Sequence, residues 1–536
     1  MKKIIICLLV VLGTSQFSCK KFLDITPINQ LTGNNFYKSA DDIESNIIDM
    51  YGTLFQKYTN TNTAGATGEF RSGEVVVADQ APGWRNDIGL LGGHNRRAPR
   101  PNGSLDRLTI PASTVVNDRT LRNVLYNSTG DYYRFINLTS WVEYYRVIQS
   151  ANLLVSKLEE GIPALSADQT KRYIAEGKFI RNYCYFTMVR LYGDVVYYTD
   201  AYQKDALARE NMVSVIKKCI ADLKTAKDGL PWTSSNPTER GVRASRGAVV
   251  GLLMNMEMWN AGFDPANKMA YYTETAALGK ELMESNAYRL LDLNDWATVS
   301  KGRSEESLFE LFTTLNYSGG NSVFRFAPFG ETFIHFPYRL PEYDFRYSAA
   351  IFTSDYMRKL YPDEGADGRL AAWFDAPFDN NVETFQLKKF AGNTIVDSSD
   401  PNNIANPDNS FLIMRYADAI LLRAEALAEL GSDDEAKDVL NVVRTKRLAI
   451  LYPGATNDAG KLKDAIFWER AKELMGEGSH YFDLVRTKRI LNKLYTDNPL
   501  TPDKFNRGAW TWPIDASALA NNRLMVLNNY WINDGF

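Results

Sequence analysis

Between Ser166 and Tyr192 the chain runs without a proline; it opens on Ser166-Ala-Asp-Gln169 and stops at Gly193-Asp194. A hydroxyl followed three residues later by an amide is the capping-box pattern that starts a helix. Ile174, Gly177, Ile180, Cys184, Met188 and Leu191 line one face, while Phe179, Tyr183 and Phe186 cover another. A helix that is apolar nearly all round has to be surrounded by other elements. A chain built about such a helix folds by packing helices against it.

Suitable partners are present. Val213, Ile216, Ile220 and Leu223 lie on one face of a second helix predicted from about Glu210 to Leu223, which closes a helical hairpin. The device returns after Arg415, where Tyr416, Ala417, Ile420, Leu421, Ala424, Leu427 and Ala428 keep helical spacing up to Gly431. Ser432-Asp-Asp-Glu435 reads as another capping box, followed by Ala436, Val439, Leu440 and Val443 on one face. Further helices are expected at 41–55, 141–158, 244–259 and 269–284. Each hairpin spans about 34 residues with small residues at the crossing, the dimensions of a tetratricopeptide-like repeat. Tandem spacing is absent, because residues 60–135 and 295–410 are rich in Gly, Asn, Asp, Pro and aromatics and lack helical period. The expected fold is therefore mainly α: interrupted tetratricopeptide-like helical hairpins with long irregular loop insertions. The expected division is a signal at 1–18, an N-terminal region at 19–270, and a C-terminal region at 271–536 that carries the 295–410 insertion.

The first residues, Met1-Lys-Lys, an apolar run from Ile4 to Leu12 and the small Ser18 before Cys19, have the layout of a secretory signal. The run falls short of the roughly 20 apolar residues of a membrane-spanning helix. A cysteine after the cut predicts lipidation at Cys19, where two or more acyl chains would make a stable anchor. Gln16 stands where such sites commonly have Leu, which leaves plain secretion with a free Cys19 as the competing reading. The full chain of 536 residues carries a net charge of −3, or −5 once Lys2 and Lys3 leave with the signal, and no basic stripe. Nucleic acid is thereby an improbable partner. Cys184 and Cys219 sit in helical patterns; export would permit a disulfide, but the reading preferred is two buried free thiols.

Catalytic patterns are missing. The three histidines, His94, His335 and His480, are scattered, and the sequence has neither a metal pair at helical spacing nor a nucleophile elbow. No metal, no cofactor and no enzymatic activity is expected. Glu469, Glu473 and Glu477 recur every four residues, but carboxylates on one helix face do not flank a sugar bond. They read instead as an exposed face with ion pairs to Arg470 and Lys472. Sugar binding would need flat ring faces flanked by amides and carboxylates. Between Phe309 and Tyr356 an aromatic recurs every three or four residues, among them Phe324, Phe333, Phe336, Tyr338 and Tyr343. Trp84 sits in a turn-rich, polar stretch, Gln80-Ala-Pro-Gly-Trp-Arg-Asn-Asp87. Trp84, Phe333, Tyr338 and Tyr343 are the candidate ligand-binding residues, with packing of the long loops as the competing role of each ring.

Six segments, in order, resemble one family. Phe22-Leu-Asp24 with Pro27 follows the cysteine, Leu191-Tyr-Gly-Asp194 ends the long helix, and Arg415-Tyr-Ala-Asp418 leads to Ala424-Glu-Ala426. Val443-Arg444 comes next, followed by Glu469-Arg470, Glu473-Leu474, Glu477-Gly478 and Phe482-Asp-Leu484 with Arg486, and Pro513-Ile514 near the end. This pattern is similar to that of the SusD/RagB family, outer-membrane nutrient-binding lipoproteins of Bacteroidetes-type bacteria. A departure stands at His480, where the family often has Arg, which would remove a local ion pair. The resemblance implies a SusD-like fold and a lipid-anchored, surface-exposed position on the outer membrane. It also implies a SusC-like TonB-dependent transporter as partner, and capture of an oligosaccharide for uptake. Two alternatives stay open: peptide as the ligand, or a helical-repeat scaffold for the transporter alone. The shared motifs transfer no ligand contacts.

Overall fold

Buried helix faces, stacked in series, make the frame. The computed structural model describes residues 36–59, 68–77, 140–313, 329–339, 342, 345–363, 365–391, 409–454, 460–512, 514, 518 and 522–530. Cys19, Trp84 and Tyr343, with most of 60–135, lie outside the described residues.

Helix α1 (Ala40–Thr59) packs on α2 (Val142–Glu160), and α2 lies along α3 (Ala167–Tyr192). The series continues through α4 (Met212–Ala226), α5 (Arg246–Phe263) and α6 (Lys268–Glu284). The stack runs past residue 270 without a break, since α6 rests on both α5 and α10 (Tyr416–Glu429). Ser166 caps α3 as expected: its Oγ accepts from the Gln169 amide at 3.2 Å, and Gln169 Oε1 accepts from the Ser166 amide at 3.0 Å. The hairpin partner of α3 is shared, because α2 packs along it as extensively as α4 does. Cys184 and Cys219 are buried free thiols.

The second expected capping box is not formed. Ser432 makes no side-chain cap to α11 (Asp433–Lys446), and its own amide donates to the Leu427 carbonyl at 2.9 Å. The turn is so short that the backbone of Ser432 is used to close α10, after Gly431 at φ 80°, leaving its side chain misplaced for the next helix.

The 295–410 insertion contains short regular pieces. These are α7 (Trp296–Lys301), β2 (Ser307–Leu311), β3 (Ala350–Phe352), α8 (Ser354–Leu360), α9 (Gly368–Trp373), β4 (Phe374–Asp375) and β5 (Gln386–Leu387). Strand β3 pairs antiparallel with β1 (Val75–Val77), β4 pairs with β5, and β2 pairs with β6 (Phe411–Arg415) in the register Ser307↔Arg415 to Leu311↔Phe411. Among the described rings along 309–356, Phe309, Phe333, Phe352 and Tyr356 are buried in or beside this layer. Phe309 meets Phe179 and Tyr183 edge-on at 5.1 Å, and Phe352 stacks on Tyr356 at 5.9 Å.

Charge, not apolar contact alone, clamps the insertion to the last helices. Glu469 and Glu473 belong to α12 (Lys461–Glu473), and Glu477 follows it. The expected exposed face is instead buried: Glu469 is 1% exposed and Glu473 0%. Arg447 reaches Glu473 at 2.9 Å and Glu306 at 3.0 Å, and Arg415 reaches Glu306 and Glu477 at 2.7 Å each. Arg369 joins Asp367, Glu469 and Glu473, Arg444 joins Glu469 at 2.8 Å, and Lys389 joins Glu477. With Lys472 at 3.8 Å from Asp367, the cations Lys389, Arg369, Arg415, Arg444, Arg447 and Lys472 thus face Asp367, Glu306, Glu469, Glu473 and Glu477, and Lys389, Arg415 and Arg447 lie over the ring of Trp296. Burial disfavours the charged Glu473, but the guanidinium groups outweigh it and hold its carboxyl well below the usual range.

A second network joins α10, α12 and α13 (His480–Arg486). Arg470 pairs with Asp483 and Asp418 at 2.8 Å each, and Arg486 binds both Asp483 and Glu425. His480 lies outside these pairs, between the rings of Phe467 and Tyr356 at 5.9 and 5.8 Å. Burial pushes its imidazole down to about 4.

Two further contacts tie distant segments together. Arg71, 1% exposed, donates to the carbonyls of Trp510 at 2.6 Å and Ala509 at 3.2 Å, between the rings of Tyr481 and Trp512. Nearby, Glu69 accepts from the Gly478 amide and Glu74 from the Asp497 amide, each at 3.2 Å. Burial pushes both carboxyls up to about 8.

Close approach makes glycine necessary at several crossings, Gly262 among them. A Cβ on Gly262, in the last turn of α5, would sit 2.2 Å from the Arg486 carbonyl oxygen at the end of α13. Gly262→Ala should therefore destabilise the protein by about 1–3 kcal/mol, read as a lower Tm in calorimetry. An unchanged Tm would show that the two helices give way freely.

Candidate functional site

Two concave surfaces stand out among the described residues. The first is a groove of about 710 Å³ along the outer side of α1 and α2. Four aromatic side chains line it, in two pairs brought together from distant parts of the chain. Phe36 and Tyr37 precede α1 and meet edge-on at 5.0 Å; Trp141 and Tyr145 meet edge-on at 5.3 Å at the start of α2. Trp141 is largely buried, whereas Phe36, Tyr37 and Tyr145 are half-exposed.

Polar groups between the rings are pre-arranged. The Tyr37 hydroxyl donates to Asn46 Oδ1 at 3.4 Å, and Asn46 Nδ2 donates to Ser150 Oγ at 2.9 Å. Burial pushes the Tyr37 phenol up to about 12, so it stays a neutral donor. Tyr145 is held by its hydroxyl, which donates to the Val196 carbonyl and accepts from the Val196 amide, both at 2.9 Å. Gln149 donates to the Ala201 carbonyl at 2.6 Å, and Arg146 stands exposed at the rim. Fixed ring faces flanked by amides and a guanidinium suit a ring-shaped ligand with many hydroxyls.

The second surface is a cleft of about 900 Å³ at the opposite ends of α3 and α5 from their caps. Gly193-Asp194, the first turn of α4, Phe263, Lys488, α14 (Pro502–Asn506) and residues 507–511 and 524–529 surround it. Arg209 builds its wall by donating to the carbonyls of Tyr192, Asp194 and Val526 and to Asn528 Oδ1, each at 2.7 Å. Desolvation lowers the affinity of that guanidinium for its proton.

Of the residues expected to bind ligand, the two within the described residues, Phe333 and Tyr338, line neither surface. Phe333 is fully buried and stacks on Phe352 at 4.7 Å, with an angle of 20° between the rings. It is a core ring and has no face to offer, because the short β1–β3 pair needs an apolar cover. Tyr338 is half-exposed beside Asp375, on the turn that follows the buried His335 and the exposed Phe336. His335 itself places Nδ1 3.0 Å from Ser348 Oγ, and burial lowers its pKa. Trp84 and Tyr343 are outside the described residues. Sequence reasoning missed the groove: its two ring pairs stand 104 residues apart, and the only local signal was the doublet Phe36-Tyr37 ahead of α1. Among the described residues, no group of three or more His, Cys, Asp and Glu is placed to hold a metal ion, and no helix is long and apolar enough to cross a membrane.

Stacked helical hairpins, broken by a strand-containing insertion and carrying concave aromatic surfaces, define a tetratricopeptide-like helical-repeat protein. Comparison with known proteins agrees with this geometry. The SusD family model matches residues 267–531, and the model for starch-binding proteins associating with the outer membrane matches residues 105–256. The crystal structure of a SusD homologue from Bacteroides thetaiotaomicron is 31% identical, with a TM-score of 0.78 over 92% of this chain and 98% of that one. SusD-like protein P38 of Formosa agariphila is 24% identical over 544 residues, 95% of each chain. A laminarin-binding SusD-like protein shares the fold at 20% identity, with a TM-score of 0.65 over 92% of this chain and 99% of its own. The chain belongs to the SusD family.

Proposed function

We propose that this protein is a non-catalytic nutrient-binding lipoprotein of the outer membrane. Lipidation at Cys19 tethers it at the cell surface, and it hands oligosaccharide to a SusC-like TonB-dependent transporter. The observation that carries the ligand class is the groove of Phe36, Tyr37, Trp141 and Tyr145, with Asn46, Gln149 and Arg146 set between and beside the rings. Starch in the description of one matching family model and laminarin in the name of a structural neighbour support a glycan over a peptide. Weak stacking at several points captures the glycan and still lets it go, as delivery to a pore requires. Tyr338, Trp84 and Tyr343 extend the proposed contact surface on the insertions.

Calorimetric titration of residues 20–536 with neutral glucan oligosaccharides, laminarin fragments among them, tests this reading. Tyr37→Ala should weaken binding by about 1–2 kcal/mol, and Trp84→Ala by a similar amount if its ring stacks on the same ligand. Silence across glycans with binding of peptides would overturn the glycan assignment. Co-purification of the full-length chain with an outer-membrane β-barrel tests the transporter partnership; its failure in intact membranes would remove it.

A further inference from the structure

The cleft at the end of α3 and α5 contains a cation that the rest of the described structure does not use. Lys488 is half-buried, at φ 61° just beyond α13, and its ammonium lies 3.6 Å from the Phe263 ring centroid and 4.4 Å from that of Phe505. Ring faces attract a cation but leave its hydrogen-bond donors unfilled. Among the described residues no carboxylate pairs with it. Other buried cations have their donors filled, by a carboxylate as at Lys57 and Lys389 or by backbone carbonyls as at Arg71 and Arg209. The cleft is cationic as a whole: Arg209, Lys488 and Arg507 line it against Asp194 alone. Asp194 is committed to the amide of Met212 at 2.9 Å, and Arg507 pairs with the exposed Asp503 at 3.0 Å.

We propose that this cleft is a binding site for a carboxylate-bearing sugar, a uronate residue of an acidic oligosaccharide, with Lys488 receiving the carboxylate. The inference rests on the glycan-binding reading above and adds a second site of different charge. A carboxylate entering the cleft would give the Lys488 ammonium the acceptor it lacks, in surroundings drier than bulk water, where such a bond is strong. Asn506 and Asn529 line the same cleft, and their amides suit ring hydroxyls; Phe505 and Leu527 supply apolar wall. A volume of about 900 Å³ accommodates two or three sugar units. An extended peptide fits less well, because no strand edge borders the cleft to pair with its backbone. The groove on α1 and α2 differs in kind: its rings surround amides and hydroxyls, and its cation, Arg146, stands exposed at the rim.

The test is calorimetric titration of the folded chain with trigalacturonate and trimannuronate, each against its own carboxyl-reduced form. The wild-type protein should bind at least one acid about tenfold more tightly than the reduced sugar. Lys488→Met should abolish that preference, Lys488→Arg should keep most of it, and the exposed-lysine control Lys493→Met should leave it as it was. Equal affinity for acid and reduced forms overturns the proposal, as does a preference that survives Lys488→Met. Neutral glucans binding in either of those cases would leave the proposed function standing. If carboxylated peptides bind through Lys488 and no glycan binds anywhere, both readings fall. The acid-against-reduced comparison needs only the wild-type chain, so a variant that misfolds does not protect the proposal.

Discussion

Glu473→Gln should cost about 3–5 kcal/mol of stability, and it is the most damaging single substitution expected in this protein. The carboxylate of Glu473 is the hub of the buried cluster, receiving hydrogen bonds from Arg369, Arg415 and Arg447. Removing its charge leaves six cations, Lys472 among them, facing four carboxylates in a volume nearly closed to water. Glutamine also presents an amide to guanidinium groups that cannot accept a hydrogen bond from it. The effect is far larger than that of an exposed pair, worth about 0–1 kcal/mol, so Glu284→Gln on α6 serves as the control. Urea unfolding of the two variants decides the matter. A loss below about 1 kcal/mol for Glu473→Gln would mean that the cluster is wetter than its burial indicates.

The second large effect is a loss of stability as pH rises through neutrality. Glu69 and Glu74 hold their protons up to about 8 in the folded protein, and Glu257 and Glu310 up to about 7, in each case chiefly through burial. Unfolded glutamates release theirs near about 4.3. Folding therefore takes up protons between those values. The stabilisation is complete below the unfolded pKa and is lost as pH rises, by about 1.4 kcal/mol per pH unit for each group, until the folded pKa is passed. Lys389 and Lys488, both down to about 8, act in the opposite sense but only above that pH. Asp483, at about 2, matters only on the acid side, whereas His480, at about 4, opposes the fall by one group up to the unfolded imidazole value of about 6.5. Urea midpoints should thus fall from about pH 5.5 to about pH 8, and the double variant Glu69→Gln, Glu74→Gln should flatten that slope. A slope unchanged in the double variant would place the titration elsewhere.

Local signals in the sequence carried the helices well and the site poorly. Ser166, Gln169 and the apolar faces of α3 could be read because a cap and its helix are neighbours in the chain. Ser432 deceived because the same pattern sits where α10 has to be closed, and one backbone cannot serve two turns. Glutamates four apart at 469, 473 and 477 look like a wet helix face until Arg369, Arg415 and Arg447 arrive from 26 to 104 residues away. The family pattern had already grouped several of these charges, and the structure supplies the physical reason: they are the clamps of the insertion. Phe333 could not be told from a displayed ring, since burial is a property of what covers it. The groove and Lys488 were missed for the same reason, as each is made by segments that only the folded chain brings together.

The grip of Arg71 on residues 509–511 has a consequence for the order of assembly. Its guanidinium, enclosed by Tyr481 and Trp512, finds its acceptors 438 and 439 residues further along the chain. Until the final segment arrives, burying that cation would leave it without partners, at a cost the local packing cannot offset. A chain made from its N-terminus must therefore hold the Arg71 segment open until nearly its whole length has been synthesised.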